Sequence, residues 1–213
     1  MDPPVITVGA EKDMDTALAR AAEVILSGGV VAIPTESFYG LAVNATDERA
    51  IRRLLSIKKR REDHPVLILI PSVDALNRYV ARVSPTARVL ISRFWPGGLT
   101  LVFEAGPEIS PWLTAGTGKI GVRLSSHPIA TGLAKAVGLP ITGTSANLTG
   151  EPACTSGDAV LETLGQEVDL ILDGGKTAGG MGSTILDVTV DPPKILRKGM
   201  VGRDRLQAFI GAL

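Results

Sequence analysis

The sequence contains very little cysteine or histidine. Among 213 residues, Cys154 is the one cysteine, and His64 and His127 are the two histidines. A single thiol excludes an internal disulfide and a cysteine-rich zinc cluster, and the histidines lack the spacing of metal ligands. We therefore predict that no metal is held by protein side chains and that Cys154 is a packed residue without a nucleophilic role. The low cysteine content agrees with a reducing compartment, and the cytoplasm is the simplest expectation.

The chain also lacks an excess of charge of either sign and has few aromatic residues. Lys and Arg total 22, Asp and Glu total 22, and aromatic residues make up 4% of the chain. Balanced charge provides no long-range attraction to nucleic acid or to an anionic membrane, and few aromatic rings are available for stacking on bases. These features disfavour a dedicated nucleic-acid module. Any positively charged site has to be local.

No apolar run is long enough to cross a bilayer. The longest uninterrupted aliphatic run, residues 66–70, is far shorter than a membrane-spanning helix. The N-terminal stretch carries Asp2, Glu11 and Asp13, where a secretory signal would have a basic region followed by an apolar one. We therefore expect a soluble protein that is neither secreted nor bound to a membrane.

Strand-like and helix-like patterns alternate along most of the chain. Helical spacing of apolar residues follows Asp13, which is predicted to be an N-cap, and Asp47, and Ser84-Pro85 is typical of a helix start. The pattern predicts helices over 14–25, 50–55, 85–95, 127–137, 156–164 and 204–210. It predicts strands over 30–33, 66–70, 99–103, 120–124, 141–143, 170–172, 183–190 and 195–197. This alternation predicts one α/β domain built on a twisted, mixed sheet.

Two polar segments and a basic run predict a site for an anion. Residues 34–41 are predicted as a hydroxyl-bearing loop after a buried strand, and residues 144–147 as a second polar loop of the same kind. The consecutive cations of residues 58–61 lie at the end of a predicted helix. Cations at a helix end also complement the helix dipole, and hydroxyls are common in turns, so each feature has a purely structural alternative.

Two isolated arginines strengthen the prediction of an anion site. Arg123 and Arg197 each lie inside an otherwise apolar segment, where an unpaired charge is costly. Their partner is expected to be an anionic ligand or a buried carboxylate. The strings at 116–121 and 175–177 fail as nucleotide motifs, because the first runs into a strand and the second lacks the first glycine of a phosphate-binding loop.

The order and spacing of these segments resemble the YrdC family of L-threonylcarbamoyladenylate synthases. The matching strings lie between about residue 15 and about residue 200. They are Pro34-Thr35-Glu36, Tyr39-Gly40-Leu41, Lys58-x-Arg60, Phe94-Trp95-Pro96-Gly97, Gly121-Val122-Arg123, Thr144-Ser145-Ala146-Asn147, Gly182-Ser183-Thr184-Ile185 and Arg197-x-Gly199. The resemblance implies a single YrdC-like domain over residues 1–213, of the short form, with helices around a large concave pocket lined by positive charge.

The resemblance also implies a reaction and a set of site residues. L-threonine, bicarbonate and ATP would give threonylcarbamoyl-AMP and pyrophosphate, the first step in making threonylcarbamoyladenosine in tRNA, with Mg²⁺ bound through the ATP phosphates. Lys58 and Arg60 would be catalytic. The ATP-binding residues would be Lys58, Arg60, Arg61, Ser145, Asn147 and Arg197. The threonine-binding residues would be Thr35, Arg123, Thr144 and Ser183.

The expected partners are these substrates and the transferase machinery that carries the threonylcarbamoyl group to tRNA, with weak RNA binding as a further possibility. The alternative is an RNA-binding relative that has the fold without synthase activity. Salt-dependent RNA affinity without ATP consumption would favour that alternative. Pyrophosphate release that requires threonine and bicarbonate would favour the enzyme.

Overall fold

The computed structural model describes residues 2–9, 11–59, 64–211 and 213. Its strands are β1 (Val5–Thr7), β2 (Val31–Pro34), β3 (Tyr39–Ala42), β4 (Ile68–Leu69), β5 (Leu99–Glu104), β6 (Lys119–Arg123), β7 (Ile141–Thr142), β8 (Thr144–Ser145), β9 (Leu170–Asp173), β10 (Thr184–Asp187) and β11 (Lys194–Arg197). Its helices are α1 (Glu11–Leu26), α2 (Glu48–Ile57), α3 (Leu76–Tyr79), α4 (Pro85–Phe94), α5 (Pro111–Thr114), α6 (Pro128–Val137), α7 (Gly157–Leu164) and α8 (Arg203–Ile210).

The strands form two mixed sheets. A five-stranded sheet has the order β1-β9-β2-β3-β8, and a six-stranded sheet has the order β11-β10-β5-β6-β4-β7. Each sheet contains parallel pairs, such as β1 with β9 and β5 with β10, and antiparallel pairs, such as β2 with β3 and β5 with β6. The predicted α/β class with mixed strand directions is therefore confirmed, and the strands are divided between two sheets.

Strand β2 separates two apolar cores. Because side chains of a strand point alternately to opposite faces, Val31 and Ile33 pack with α1 and α6, whereas Ala32 packs in the larger core on the other face. Strand β9 behaves in the same way, with Leu170 and Leu172 on the α1 and α6 side. Both strands are buried on two faces, which explains their continuous apolar sequence.

Side-chain caps begin several of the predicted helices. The carboxylate of Asp47 accepts hydrogen bonds from the backbone N–H groups of Arg49 and Ala50, and Ser84 Oγ accepts one from Ala87 N at 3.1 Å. The prediction that Asp13 is an N-cap is wrong, because α1 already begins at Glu11. An acidic side chain is favourable in the first turn of a helix as well as at the N-cap. An aspartate in the sequence therefore does not by itself identify the residue at which the helix begins.

The bounds of several predicted loops and strands also differ from the prediction. Pairing between strands or a hydrogen bond from a short polar side chain sets the observed bounds. The segment 34–41 is not one loop, since β2 includes Pro34 and β3 begins at Tyr39. The polar segment 144–147 begins with strand β8, which pairs with β3. The predicted strand 183–190 is shorter because Asp187 Oδ1 accepts a hydrogen bond from Thr189 N at 2.9 Å and turns the chain. The predicted strand 66–70 is reduced to β4.

No helix in the described part of the chain is long and apolar enough to cross a membrane. Cys154 is buried, and its Sγ lies 3.9 Å from Thr163 Oγ1. Burial raises the pKa of this thiol, although Thr163 and Lys58 act in the opposite direction. A thiol with a raised pKa is a weak nucleophile at neutral pH, which agrees with the predicted packing role.

Candidate functional site

A cavity of about 580 Å³ lies between the two sheets. This volume is in the range of sites for small molecules and cofactors. Strands β3 and β8 of the five-stranded sheet form one wall, and strands β5, β6, β10 and β11 of the six-stranded sheet form the other. Met181 and Gly182, at the end of the glycine-rich segment 174–182, also line it.

The cavity wall combines cations, hydroxyl groups and apolar surface. Its cationic residues are Lys119, Arg123, Arg197 and Lys198. Its serine and threonine residues are Thr35, Ser37, Thr100, Thr117, Thr144, Ser145 and Ser183. Among the described residues that line the cavity, none is a carboxylate. Four cations without an acidic residue in the wall favour an anionic ligand, and the hydroxyls offer hydrogen bonds to it.

Arg123 is the most deeply buried of these cations. It ends strand β6, is 4% exposed, and its Nε forms no hydrogen bond with any described residue. The nearest carboxylate is that of Glu36, whose Oε2 lies 3.7 Å from Arg123 Nη2. Burial lowers the pKa of Arg123, and the negative charge of Glu36 partly opposes this effect. The guanidinium is therefore paired with a carboxylate, while its buried Nε–H has no hydrogen-bond partner among the described residues.

Glu36 is held in its ionised form by several donors. Ser125 Oγ donates to Glu36 Oε2 at 2.8 Å, and the backbone N of Ser126, just before α6, lies 3.4 Å from Oε1. Burial raises the pKa of Glu36, but the charge of Arg123 and these hydrogen bonds outweigh burial and lower it overall. The sequence prediction that Arg123 has an anionic ligand or a buried carboxylate as partner is thus confirmed for the carboxylate.

Arg197 and Ser183 form a second polar group in the wall. Arg197 Nη2 donates to the backbone oxygen of Ser183 at 2.9 Å and lies 3.2 Å from Ser183 Oγ. Ser183 Oγ also lies 2.7 Å from Thr100 Oγ1. Burial and the positive charge of Arg123 both lower the pKa of Arg197. The two arginines are therefore close enough to repel each other, and an anion between them would relieve that repulsion.

Lys58 lies at the end of a helix, as the sequence predicts, but outside the cavity wall. It caps the C-terminus of α2, is 2% exposed, and is not part of the cavity wall. Its Nζ donates to the backbone oxygens of Ser145 and Asn147 and to Asn147 Oδ1, the last at 3.1 Å. Asn147 also lies outside the wall, and its Nδ2 donates to the backbone oxygens of Leu148 and Glu151.

The structure therefore brings together most, but not all, of the predicted site residues. Those that line the one cavity are Thr35, Arg123, Thr144, Ser145, Ser183 and Arg197. Lys58 and Asn147 lie behind the wall, in contact with Ser145. Arg60 and Arg61 lie outside the described residues. Thr35 Oγ1 donates to Phe38 O at 2.7 Å, so part of its hydrogen-bonding capacity is used within its own turn.

Sequence reasoning missed Lys119, Lys198 and the role of Glu36. Lys119 lies two and four residues before Gly121 and Arg123, and all three line the cavity from β6. The two-residue period of a strand is a signal that could have identified Lys119. Its Nζ lies 2.9 Å from Asp187 Oδ2, so its charge is partly neutralised from outside the wall. Glu36 had no comparable signal, because its contact with Arg123 joins distant parts of the chain.

The described residues contain no group of three or more His, Cys, Asp or Glu side chains that could hold a metal ion. Mg²⁺ commonly binds through substrate phosphates with few protein ligands, so the donors of this wall are compatible with a Mg²⁺ ion that enters on a phosphate-bearing ligand.

Comparison with known proteins gives a consistent result. A family model named Sua5_yciO_yrdC, with the description "Telomere recombination", matches residues 23–199. The chain is 36% identical over 200 residues to a threonylcarbamoyl-AMP synthase of Bacillus subtilis, covering 93% of this chain and 58% of that protein. It is 35% identical over 194 residues to a putative threonylcarbamoyl-AMP synthase of Mycobacterium tuberculosis, covering 91% of this chain and 89% of that protein.

Solved structures agree with the sequence comparisons. The structure of P. abyssi Sua5 complexed with L-threonine has a TM-score of 0.93 and 35% identity, and the match covers 99% of this chain and 61% of that one. The structure of E. coli YciO has a TM-score of 0.87 and 26% identity, covering 96% of this chain and 99% of that one. The chain thus spans little more than half the length of some relatives and nearly all of others.

Proposed function

The chain belongs to the Sua5/YciO/YrdC family, and from this we propose that it is a threonylcarbamoyl-AMP synthase. The observation that carries the proposal is the cavity between the two sheets, whose wall holds four cations and a set of hydroxyls but no described carboxylate. Relatives named threonylcarbamoyl-AMP synthase, and a related structure in complex with L-threonine, support the choice of substrates.

The proposed reaction has two bond-forming steps. The amine of L-threonine forms a bond to the carbon of bicarbonate with loss of water, which gives N-carboxythreonine. An oxygen of this carbamate then attacks the α-phosphorus of ATP. The bond between the α-phosphorus and its bridging oxygen breaks, and pyrophosphate leaves with the electron pair. The product is threonylcarbamoyl-AMP.

The main barrier to the second step is electrostatic. An anionic carbamate has to approach a polyanionic triphosphate, and two like unit charges 4 Å apart repel by about 4 kcal/mol at an effective dielectric constant of 20. Fixed cations reduce this repulsion without reorganising during the reaction. Arg123, Arg197, Lys119 and Lys198 surround the cavity and can provide this screening. A protein base is not required for the attack of an ionised carbamate.

We assign threonine to the part of the cavity next to Arg123. The guanidinium of Arg123, which lines the cavity, can pair with the carboxylate, and Thr35, Thr144 and Ser183 can hydrogen-bond the amine or the side-chain hydroxyl. Valine has nearly the same shape but cannot satisfy the groups that bind this hydroxyl. A site that leaves polar groups unpaired with the wrong substrate discriminates strongly against it.

We assign the nucleotide to the side of the cavity that contains Ser145, Arg197 and Lys198. Arg197 presents a planar donor group that suits phosphate oxygens. Arg60 and Arg61, predicted from sequence to bind phosphate, lie outside the described residues and remain predictions. Mg²⁺ would enter with ATP, bound through its phosphates. The downstream partner is the machinery that transfers the threonylcarbamoyl group to tRNA, and any RNA affinity is expected to be weak.

Pyrophosphate release from ATP tests the proposal. We expect release only when L-threonine, bicarbonate and Mg²⁺ are all present, and little release when valine replaces threonine. Arg123→Ala should raise the KM for threonine about tenfold to a hundredfold, as expected for loss of a hydrogen bond to a charged group. The exposed Arg88 serves as the control, since Arg88→Ala should leave the KM for threonine and the KM for ATP unchanged. Release that is independent of threonine would refute the proposal, as would salt-dependent RNA binding without any release.

A further inference from the structure

Lys58, Ser145 and Asn147 form one buried hydrogen-bonded unit, which we call the Lys58 cluster. The Lys58 ammonium donates to Ser145 O, to Asn147 O at 2.9 Å and to Asn147 Oδ1 at 3.1 Å. Ser145 Oγ lies 2.6 Å from Asn147 Oδ1 and donates to it. The ammonium therefore lies at the centre of three oxygens that belong to one short stretch of chain.

The three oxygens of the cluster suit an ammonium better than a guanidinium. A lysine side chain ends in a compact group with three N–H donors, which can point to three oxygens around a single nitrogen. An arginine has a planar group whose donors are spread over a fork. Lys58 is 2% exposed, so there is little room for a larger head group. Close packing makes such a site sensitive to added volume.

A second set of bonds joins the same two segments. Thr149 Oγ1 and Thr149 N both donate to the backbone oxygen of Lys58, at 2.8 Å and 3.1 Å. The backbone N of Lys58 donates to Leu54 O within α2. The C-terminus of α2 is thus bonded to the segment 145–149 through both the side chain and the main chain of Lys58.

This attachment bears directly on the cavity wall. Strand β8 consists of Thr144 and Ser145, which both line the cavity. It pairs with β3 at the edge of the five-stranded sheet, through Gly40 with Ser145 and Leu41 with Thr144. Backbone hydrogen bonds on either side of β8, from Ala146 N to Tyr39 O at 2.8 Å and from Gly143 N to Leu67 O at 2.9 Å, fix the path of the main chain. The Lys58 cluster adds the side-chain hydrogen bonds that hold Ser145 itself.

We propose that Lys58 is a positioning residue, which fixes Thr144 and Ser145 in the wall of the substrate cavity, and that it does not bind phosphate. The proposal rests on the proposed function, because it concerns the threonine and nucleotide sites of that reaction. It revises the role predicted from sequence, in which Lys58 neutralises the phosphates. The two roles differ in which substrate is affected, in which residue can replace Lys58, and in whether Asn147 is coupled to it.

Threonine binding measured by calorimetry without nucleotide separates the two roles. In Lys58→Met we expect threonine to bind about tenfold more weakly or worse, since buried acceptors lose their donor and the wall shifts. The exposed Lys59 next to it is a control of equal charge, and Lys59→Met should bind threonine like the wild type. Unchanged threonine affinity in Lys58→Met, with a raised KM for ATP alone, would overturn the proposal.

Replacing Lys58 by arginine is a second test that separates a phosphate-binding role from a positioning role. If Lys58 bound phosphate, Lys58→Arg would retain much of the activity, because arginine binds phosphate at least as well. We expect Lys58→Arg to be as impaired as Lys58→Met, because a guanidinium does not fit among the three oxygens. Circular dichroism and the melting temperature establish that each variant is folded. A folded Lys58→Arg with activity close to that of the wild type would contradict the proposal.

The single variant Asn147→Ala covers the case in which Lys58 variants unfold. It removes one oxygen of the cluster and retains the ammonium, so we expect it to weaken threonine binding, and unchanged threonine affinity in folded Asn147→Ala would contradict the proposal. If Lys58→Met folds, combining it with Asn147→Ala should cause little further loss, because residues of one network are not additive. Additive losses would show independent roles and refute the proposal. Wild-type protein that neither binds threonine nor releases pyrophosphate would instead refute the proposed function.

Discussion

At the residue scale, Arg53 and Arg123 both face a carboxylate but in different surroundings. Arg53 binds Asp169 through two hydrogen bonds at the surface, where both side chains are exposed. Such pairs stabilise proteins by about 0–1 kcal/mol. Arg123 is buried, with Glu36 at 3.7 Å and an Nε–H that has no hydrogen-bond partner among the described residues. Because a buried charge is costly, only the second arrangement implies that the site serves a ligand.

Some features of the buried site could be predicted from the sequence and others could not. Arg123 could be identified as a site residue, because a cation inside an apolar strand requires a partner. Its partner could not be identified, since nothing in the segment around Glu36 indicates that its carboxylate lies beside β6. Lys58 was correctly placed at the end of a helix, but the direction of its side chain depends on the segment 145–149, which sequence patterns do not bring near it.

Replacing Glu36 by glutamine should destabilise the protein. Glu36→Gln would leave Arg123 buried without a charged partner, and breaking a buried pair in this way costs about 3 kcal/mol. The free energy of unfolding in urea at neutral pH measures this loss. The exposed Glu151 provides the control, and Glu151→Gln should change the free energy of unfolding very little.

The pH dependence of the same variant gives an independent check. The pKa of Glu36 in the folded protein lies below its ordinary value of 4.5, so ionised Glu36 stabilises the fold fully above that value. This contribution is lost as the pH falls through the lowered pKa. Stability of the wild type should therefore fall more steeply than that of Glu36→Gln below pH 4.5. Parallel profiles would contradict the assigned ion pair.

At the scale of elements, regular patterns predicted the longer helices and strands. The cap at Ser84 and the apolar face of α2 were predicted from sequence and are confirmed. Strand β8 was not predicted, and β4 is shorter than the predicted strand 66–70, because both short strands are defined by pairing with neighbouring strands rather than by local preference. The position of β8 matters most, since it carries two predicted site residues.

Strand β3 also anchors the glycine-rich segment 174–182, which contributes to the cavity wall. The Tyr39 hydroxyl lies 2.8 Å from Asp173 Oδ1 and 2.8 Å from Gly175 O. Tyr39→Phe should cost about 1 kcal/mol of stability, the net value of a typical hydrogen bond. Hydrogen exchange followed by mass spectrometry should show faster exchange in residues 174–182.

Tyr79 provides a matched control for this prediction. Its ring is buried in the larger core, and its hydroxyl forms no hydrogen bond with another residue in the described part of the chain. Tyr79→Phe should therefore leave exchange in 174–182 unchanged. Equal exchange in both variants would show that Tyr39 does not hold the segment.

At the scale of the whole molecule, the cavity arises where the two sheets face each other. The strand order β1-β9-β2-β3-β8 is not sequential, so residues 35 and 144 become neighbours of one cavity only after distant strands have paired. Composition and periodicity predicted the α/β class but carry no information about this pairing. The family resemblance, rather than any local pattern, grouped these residues before the structure did.

The rise in Tm caused by each ligand should test the threonine site and the nucleotide site of the cavity separately. A ligand at about 100 times its Kd stabilises the folded state by about 2.7 kcal/mol, which raises the Tm of a protein of this size by about 5–10 °C. We expect Arg197→Ala to reduce the shift caused by Mg²⁺-ATP and to retain the shift caused by threonine. Lys194 is an exposed cation on the same strand, and Lys194→Ala should retain both shifts. Loss of the threonine shift alone in Arg197→Ala would reverse the two assignments.

A crystal structure with L-threonine and a non-hydrolysable ATP analogue bound together is the most direct test. We expect both ligands in the cavity between the sheets, with the threonine carboxylate hydrogen-bonded to Arg123 and the triphosphate next to Arg197 and Lys198. We expect Lys58 to remain bonded to Ser145 and Asn147. Ligands bound outside this cavity, or a threonine carboxylate turned away from Arg123, would contradict the assignment of this cavity as the place where the two anions meet.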